Sequence, residues 1–554
     1  MGKLKKVCLL LILLLACAVR LADLGTHFVH LDDAITIIDI LRAKHPDYRQ
    51  ELLDIIDNPL NAAYHSRQKT LIKNIYENPQ TRFIFDATFY LARFLIVPLT
   101  NSNAPLQFLI TPFLINDQQN YNTLLFMGRL PSCVFSLLTI LLLCFILKKN
   151  NHTALLLGVL IGALSLENII FAKQSYSYAI GCLAAAGLLL LLQHSRQENF
   201  FRQHWLTSAG LTTLFVYAHY QLFFLLPAYY LVNFWLKRFS YPEAKKLIYS
   251  GLLNLAFGLP ALCYILLVRP TAGAAIYNSG LHGEFLFTPD KNIFWFLLRN
   301  GFLVLTHTLS PVAADNFFYW IFGGLFTAGF VLGLRKCYKT PEGLFVVFSL
   351  LTYLGLVFTQ KLTLTPTRNA LVYLPLFIYV IAQSLPELKT KTLAYLLSAY
   401  TGIFLFFFPS FLRGRQTPLN EKELVKIIEH YQPYLIGEYD NVNAPLLKNI
   451  RQKYKYADRV NYLPNRPADF QTIAFLDTYA PLDEQKFQYC QDFWNEKKLS
   501  VPPWTNTYAQ YEVVYEKIST SSIELEPNNW NSNGTNNLFF YVLKLKSASS
   551  FQEK

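Results

Sequence analysis

Residues 130–147 read LPSCVFSLLTILLLCFIL, and Lys148 and Lys149 follow directly. An uncharged apolar stretch of about 20 residues is what an α-helix needs to cross the hydrocarbon core of a membrane. Loops on the cytoplasmic side of membrane proteins are enriched in lysine and arginine. This stretch therefore predicts a membrane-crossing helix whose C-terminal end lies in the cytoplasm.

The composition extends this prediction to the whole chain. Of the 554 residues, 53% are hydrophobic and 15% are charged, against about 25% charged residues in an average soluble domain. The apolar residues are grouped into long runs, which predicts a mainly α-helical, polytopic membrane protein. The formal charge of +13 is the excess expected of cytoplasmic loops. The basic residues are not collected on one soluble face, so we predict no nucleic-acid partner.

Basic residues between the apolar runs set the direction of each predicted helix. Lys3, Lys5 and Lys6 precede the first run and place the N-terminus in the cytoplasm. The run 83–99 contains Asp86 and Arg93 and is predicted to lie at the interface without crossing. A single crossing over 205–236 would place Lys237 and Arg238 outside the cytoplasm, so this run is predicted to be a hairpin of two short helices with His219 at the outer turn. In sum, about eleven transmembrane helices are predicted, in the runs 7–24, 130–147, 153–172, 177–193, 205–236, 247–268, 316–334, 343–360, 369–385 and 392–411.

The chain divides by composition into two parts. Residues 1–412 form the predicted transmembrane domain, with a first outer loop at 25–82 and a second outer region at 269–314. Residues 413–554 contain charges, prolines and short alternating runs, which predicts a soluble α/β domain of ordinary size. The direction of the last helix places this domain outside the cytoplasm.

The eight cysteines do not predict a disulfide framework. Cys490 alone falls in the polar C-terminal part, and it has no obvious partner there. No CxxC or paired-histidine spacing indicates a metal site, so we predict no metal ligands from spacing.

Asp32 and Asp33 stand next to each other shortly after the first apolar run. Two neighbouring carboxylates repel each other when both are ionised, so the pKa of one of them rises. That carboxylate becomes a better proton acceptor near neutral pH, as a general base must be. The alternative is that Asp32 caps the N-terminus of a helix that begins near Ala34.

Other polar side chains are predicted to meet the two aspartates at the same membrane face. Ionisable residues at membrane depth are costly, so each is a functional candidate. The structural alternatives are an interfacial anchor for Arg129, a simple ion-pair partner for Lys173 and a buried structural histidine for His219. Arg20 is expected to extend to the outer interface. The full set is Arg129, Glu167, Lys173, Gln174, Tyr176, Tyr178, His219 and Arg368.

The order of these motifs resembles that of the GT-C class of integral membrane glycosyltransferases, which includes protein O-mannosyltransferases and aminoarabinose transferases. Arg20-Leu21 and the pair Asp32-Asp33 match the end of the first helix and the acidic pair of the first outer loop, with Asp33 in place of glutamate. Three later segments also match: 129–132, 163–178 and 366–375. In these, Leu166 replaces a proline, Tyr176 an arginine and Asn369 a tyrosine.

The resemblance implies a polyprenyl-phosphate sugar as donor and an extracytoplasmic glycan, lipid or protein as acceptor. It implies that Asp32 is the general base, with Asp33 and Glu167 orienting the acceptor or holding a divalent cation. Arg368 would meet the donor phosphate, because a guanidinium suits phosphate oxygens. The other substrate-binding candidates are Arg129, Lys173, Gln174, Tyr178 and His219. The implied location is the inner membrane of a bacterial cell envelope.

Two other classes of protein fit the same composition. A secondary transporter also carries intramembrane charges, but it usually shows repeat symmetry and helices broken at matched positions, and the sequence shows neither. A non-catalytic scaffold of envelope glycan assembly would keep the helices and not need the acidic pair.

Overall fold

The computed structural model describes residues 3–26, 36–37, 40–41, 105–116, 118–219, 221–258, 288, 291–314, 316–359, 364, 368–413, 421–438, 455–457, 460–462, 470–477, 481–496, 503–519 and 538–546. The aspartate pair Asp32-Asp33 and the apolar run 83–99 lie outside these residues. So do residues 439–454, 458–459, 463–469, 478–480, 497–502 and 520–537 of the α/β region.

Helices form most of the described chain, as the composition predicts. Those up to the hairpin region are α1 (Lys3–Leu21), α2 (Pro105–Ile110), α3 (Tyr121–Leu147), α4 (His152–Leu164), α5 (Leu166–Ala172), α6 (Tyr178–Ser195), α7 (Phe200–Ala218) and α8 (Leu222–Lys237). Residues 241–258 are helical as well and form α9. The later ones are α10 (Ile293–Leu309), α11 (Phe317–Cys337), α12 (Pro341–Phe358), α13 (Arg368–Leu371), α14 (Leu374–Ser384), α15 (Thr390–Arg413), α16 (Glu421–Tyr431) and α17 (Glu484–Glu496).

Several of these helices are apolar and long enough to cross a membrane, which indicates a membrane-embedded protein. Within the described residues there are 5 such helices, or 6 if α4 and α5 count as one bent span. Three shorter apolar helices, α8, α10 and α14, come in addition. The sequence-based number of about eleven crossings therefore stays a prediction.

Three predicted segments have a more specific outcome. The run 205–236 is a pair of helices, α7 and α8, with His219 between them, and this confirms the predicted hairpin. The run 153–172 is not one straight helix, because α4 and α5 are bent by 52° at Ser165. Within the predicted outer region 269–314, residues 293–309 form helix α10, and the outer location of this region stays a prediction.

The chain separates into two compact units. One contains residues 1–22, 42–114 and 129–408, and the other contains 23–41, 115–128 and 409–554. The first, the helical unit, holds most of the apolar helices. The second, the mixed unit, holds the sheet.

In the helical unit, contacts join the helix ends that carry the basic residues. This basic end consists of the helix ends at Leu147, Ser195, Lys237, Cys337 and Ser384, and its members were predicted to share one side of the membrane. Their contacts are hydrogen bonds or ion pairs between loops far apart in sequence: Asn151 Nδ2 to Leu385 O at 2.9 Å, Arg196 Nη1 to Glu342 Oε1 at 2.9 Å, Lys237 Nζ to Gln197 O at 2.8 Å and Lys336 Nζ to Ser384 O at 3.2 Å.

Small residues let the helices approach closely. A Cβ atom added to Gly333 of α11 would overlap the carbonyl oxygen of Val380 of α14. Close backbone approach at small residues is the usual way that helices pack in membranes, where no hydrophobic force drives them together. Gly333 is therefore required by the packing of α11 on α14.

The mixed unit contains a six-stranded sheet of strands β1 (Leu435–Glu438), β2 (Lys455–Ala457), β3 (Val460–Tyr462), β4 (Thr472–Asp477), β5 (Tyr511–Ser519) and β6 (Leu538–Leu545). The strand order is β2-β3-β1-β4-β6-β5. Strands β1 and β4 are parallel, and the other neighbours are antiparallel.

Helix α17 and a group of aromatic side chains cover one part of this sheet. Trp504 is 2% exposed and stacks on Phe470 with 5.8 Å between ring centroids. It also meets Phe487 of α17 at 4.8 Å. At the end of β4, Asp477 forms an ion pair with Lys486 of α17. A mixed sheet with a packed helix confirms the α/β character predicted for this region.

Candidate functional site

The break at Ser165 organises the polar side chains of the helical unit. The N–H of Leu166 would continue helix α4 by donating to Gly162 O, but it donates to Ser310 O at 2.9 Å instead. The Ser165 hydroxyl donates to Thr308 O at 2.7 Å and accepts from Asn168 N at 3.2 Å. The hydrogen bonds to the end of α10 therefore stabilise the break between α4 and α5, and α5 starts in a new direction.

Arg20 fills the hydrogen-bonding positions that the break leaves. Its guanidinium donates to Ala163 O at 2.8 Å and to Ser136 Oγ of α3 at 2.8 Å. Ser136 in turn donates to Asn168 Oδ1 at 3.0 Å, and the Asn168 amide donates to Gly162 O at 3.0 Å. Arg20 is fully buried, so the expectation that it extends to the membrane surface was wrong. The carbonyls freed by the break supply the acceptors that hold it inside.

Glu167, predicted as a catalytic residue, is buried and paired with a histidine. Its Oε2 lies 3.1 Å from Nε2 of His307, and the two residues are 4% and 9% exposed. The sequence suggested Lys173 as the partner of Glu167. His307 was missed because helix α10 was assigned to an outer region.

A signal for α10 was present in the sequence. Asn292 stands directly before the mostly apolar stretch 293–309, and its side chain accepts from Phe294 N at 3.0 Å and from Trp295 N at 3.1 Å. Asparagine is among the strongest N-cap residues. An N-cap followed by an apolar stretch of 17 residues predicts a helix, and it would have brought His307 among the candidates.

Lys173, predicted to bind substrate, follows α5 directly and faces the end of the first helix. Its ammonium donates to Ala22 O at 2.7 Å and lies 5.8 Å from the ring centroid of Phe408. The side chain is fully buried. The structure thus brings a buried cation to the point where α1 ends and the segment leading to Asp32 begins.

The predicted residues Tyr178 and His219 contact each other. Their ring centroids are 5.4 Å apart, and Tyr176 stacks on Tyr178 at 4.8 Å. Gly181 makes room for the imidazole, because an added Cβ would lie 3.0 Å from His219. His219, between α7 and α8, is 8% exposed, so it forms part of a packed aromatic group.

Arg129 and Gln174 are both buried, at 0% and 4% exposure. Arg129 was expected near the start of a helix, but α3 begins at Tyr121 and contains it. It lies one turn before Ser132, whose hydroxyl donates to Tyr176 O at 3.3 Å. With its side chain fully buried, Arg129 is not an interfacial anchor.

The remaining candidates cannot be placed in this site. Asp32 and Asp33 lie outside the described residues, and of Arg368 only the backbone, at the start of α13, is described. Within the described residues, no group of three or more His, Cys, Asp or Glu side chains could hold a metal ion. The divalent cation stays a prediction that concerns Asp33 and Glu167.

These buried candidate residues lie near helix ends opposite to the basic end. This polar end consists of the helix ends at Leu21, Ala172, Tyr178, Ala218 and Leu309. It offers a carboxylate–imidazole pair for proton transfer and a buried ammonium for a negatively charged group. Comparison of the chain with protein-family models, with curated proteins and with solved structures finds no match.

Proposed function

We propose that the chain is a membrane glycosyltransferase that moves a sugar from a polyprenyl-phosphate donor to an extracytoplasmic glycan, lipid or protein. One observation carries the proposal. Three of the segments whose motifs resemble the GT-C class are hydrogen-bonded to one another: the end of α1 through Arg20 and Ala22, helix α3 through Ser132 and Ser136, and the loop after α5 through Lys173 and Tyr176.

The proposed reaction is an inverting substitution at the anomeric carbon. The acceptor hydroxyl attacks this carbon while its proton passes to the Asp32 carboxylate, and the bond from the carbon to the phosphate oxygen breaks. The polyprenyl phosphate leaves with its negative charge, which Arg368 stabilises. Lys173 holds the end of the first helix, so that the segment carrying Asp32 and Asp33 starts from a fixed position.

The orientation follows from the basic end. Its lysines and arginines favour the cytoplasmic side, so the polar end faces outward. The apolar runs of the sequence give about eleven helices that cross the inner membrane. In this arrangement the N-terminus is cytoplasmic and the α/β domain of residues 413–554 lies outside the cytoplasm.

The test replaces the base and measures the product. A strain lacking the gene is complemented with the wild type, Asp32→Asn, Asp33→Asn or Asp54→Asn, and its surface glycans and lipids are compared by mass spectrometry. Asp32→Asn should lose the transferred sugar, because an amide cannot accept the proton. Asp33→Asn should reduce transfer less.

Asp54→Asn is the matched control, since it makes the same change in the same predicted outer loop. It should behave as the wild type. Immunoblots of membranes establish that all variants are inserted at equal levels. Near-normal transfer by Asp32→Asn would contradict the proposed mechanism.

A secondary transporter is the second candidate, and the broken span favours it. Transporters bind their substrates and ions at broken helices, and α4 and α5 break beside the buried pair of Glu167 and His307. In proteoliposomes with a pH-sensitive dye inside, a proton-coupled transporter would lose its proton flux on Glu167→Gln and keep it on Asp32→Asn. A glycosyltransferase should show no such flux.

A further inference from the structure

Two lysines close to the basic end are held side by side by aromatic rings. Lys245 and Lys246 lie in the second turn of α9. Their ammonium groups lie 5.8 Å and 5.9 Å from the ring centroid of Tyr249, one turn further along the helix. The ammonium of Lys246 also lies 4.7 Å from the ring centroid of Trp205 of α7. This lysine pair therefore concentrates two positive charges in one small area.

The position of these rings is fixed, because α7 and α9 run parallel and bind each other along their length. The rings of Trp205 and Tyr249 are 6.2 Å apart between centroids, near the start of both helices. Further along, Asn254 Nδ2 donates to Thr212 Oγ1 at 3.1 Å. Near their ends, the Tyr217 hydroxyl donates to the carbonyl oxygen of residue 257 at 2.9 Å. The lysine pair thus lies on a packed pair of helices.

No carboxylate of the described residues neutralises the lysine pair, since neither lysine forms an ion pair there. Glu243, the nearest carboxylate in the sequence, is buried and has other partners. Its Oε2 lies 3.0 Å from Lys237 Nζ, and its Oε1 accepts from Asn199 N at 2.9 Å. Two like charges held close together repel each other, so the lysine pair favours a bound anion.

The lysine pair also lies at the end of an exposed apolar stripe. Ile248, Leu252 and Leu255, which form the stripe, follow Lys245 at intervals of three, four and three residues. Residues at this spacing share one face of a helix. Each side chain of the stripe is about half exposed, and all three belong to the predicted crossing 247–268. A ligand that fits both features has a negative headgroup followed by a hydrocarbon chain.

We propose that the lysine pair and the stripe bind an acidic phospholipid, whose phosphate lies at the two ammonium groups and whose acyl chain lies along the stripe. Basic clusters beside membrane helices bind anionic headgroups. Trp205 and Tyr249 fit the same boundary, because these residue types are enriched where headgroups meet hydrocarbon. A soluble anion would leave the stripe uncovered. The assignment does not depend on the proposed function.

The experiment measures lipid binding to the delipidated full-length protein in a neutral detergent by native mass spectrometry. The probes are phosphatidylglycerol and phosphatidylcholine with the same acyl chains, and the competitor is glycerophosphoglycerol, the headgroup without chains. Each titration gives the dissociation constant of the first lipid bound. The variants are Lys245→Gln/Lys246→Gln and Lys245→Gln alone.

Lys148→Gln/Lys149→Gln is the matched control. These two lysines are also adjacent and exposed, and they follow the basic helix end at Leu147. Within the described part of the chain, however, no aromatic ring holds their ammonium groups. The control removes the same charge from the same end of the molecule without touching the proposed site.

We expect the wild type to bind phosphatidylglycerol about thirtyfold more tightly than phosphatidylcholine, the effect of two basic residues beside an acidic headgroup. Lys245→Gln should reduce this ratio to about fivefold, and Lys245→Gln/Lys246→Gln should reduce it to about one. The control should keep the wild-type ratio. Melting temperatures in the neutral detergent should be equal for all variants, because the changed side chains lie at the surface.

Equal affinity of the wild type for the two lipids would overturn the assignment of an acidic headgroup. An unchanged preference in Lys245→Gln/Lys246→Gln would overturn the location of the site. An equal loss in the control would mean that the total charge of the basic end attracts the lipid without a defined site. Displacement of phosphatidylglycerol by an equal concentration of glycerophosphoglycerol would mean that the stripe contributes nothing and that the site takes a soluble phosphodiester.

Discussion

The pair of Glu167 and His307 acts as one unit because neither side chain suits an apolar environment alone. Their contact of 3.1 Å lets a proton be shared between carboxylate and imidazole. Removing one partner of a buried pair leaves an uncompensated polar group, which costs more than the pair contributes. Both proposed functions need this pair intact, the transporter as a proton site and the transferase as an orienting group.

His307→Leu should destabilise the protein by about 3–5 kcal/mol, because it leaves the buried Glu167 without its partner. Glu167→Gln should cost about 1 kcal/mol, since the amide still offers a hydrogen bond to the imidazole. Thermal unfolding of the purified protein in detergent, followed by tryptophan fluorescence, measures both.

The matched control for this pair is His194→Leu. His194 lies at the exposed C-terminal end of α6, so its loss should leave the melting temperature nearly unchanged. Equal melting temperatures for His307→Leu and His194→Leu would mean that the contact with Glu167 contributes nothing.

Arg20 depends on the planar, forked shape of its guanidinium. Arg20→Lys should destabilise the protein by about 1–3 kcal/mol, because one ammonium cannot reach Ser136 and Ala163 in the same fixed geometry. Arg335→Lys makes the same change at an exposed position of the basic end and should have little effect. We would measure the yield of monodisperse protein after detergent extraction and the melting temperature of each variant. Equal values for Arg20→Lys and Arg335→Lys would contradict the role given to Arg20.

At the scale of elements, the bend between α4 and α5 is the feature that assembles the polar end. Ser165 stabilises it from both sides, as an N-cap of α5 and as a donor to α10. Because α5 is short, its direction depends on these contacts more than on its own helix propensity.

Ser165→Ala should cost about 1–2 kcal/mol, since it removes an N-cap acceptor and a donor to a buried carbonyl. Ser177→Ala is the matched control. Ser177 is also a buried serine at the N-cap of a helix, α6, but its side chain makes no capping hydrogen bond. Its loss should therefore have a smaller effect. The melting temperatures of the two variants test this difference, and a larger effect of Ser177→Ala would contradict it.

At the scale of the whole molecule, the alternation of basic and polar helix ends predicts which side of the membrane these helix ends occupy. The contacts at the basic end join Asn151, Arg196, Lys237 and Lys336 to other loops of that end. These residues must share one side, so a single labelling experiment can orient all of them.

A single cysteine at position 532, in a background without the eight native cysteines, should react with a membrane-impermeant maleimide on intact spheroplasts. A cysteine at position 149 should react only after the membrane is opened. This result follows from the positive-inside rule applied to the basic end. The reverse labelling pattern would mean that the membrane topology is inverted and that Asp32 lies on the cytoplasmic side.

The sequence alone determined the class of the protein, most helix positions and the grouping of their ends. Apolar runs and the basic residues beside them are local properties, and a helix in a membrane satisfies its backbone from within. For the same reason the hairpin around His219 could be predicted. Lys173, Tyr178 and Glu167 could be selected as candidates because a polar residue in an apolar run stands out without any knowledge of its neighbours.

Only the tertiary structure decided what those polar residues contact. The break at Ser165 depends on the carbonyls of Thr308 and Ser310, which come from a distant helix. The same packing pairs Glu167 with His307 and turns Arg20 inward. The hydropathy pattern shows that a charged residue lies in an apolar run and therefore needs a partner. Which residue becomes that partner depends on which distant segments of the chain pack together.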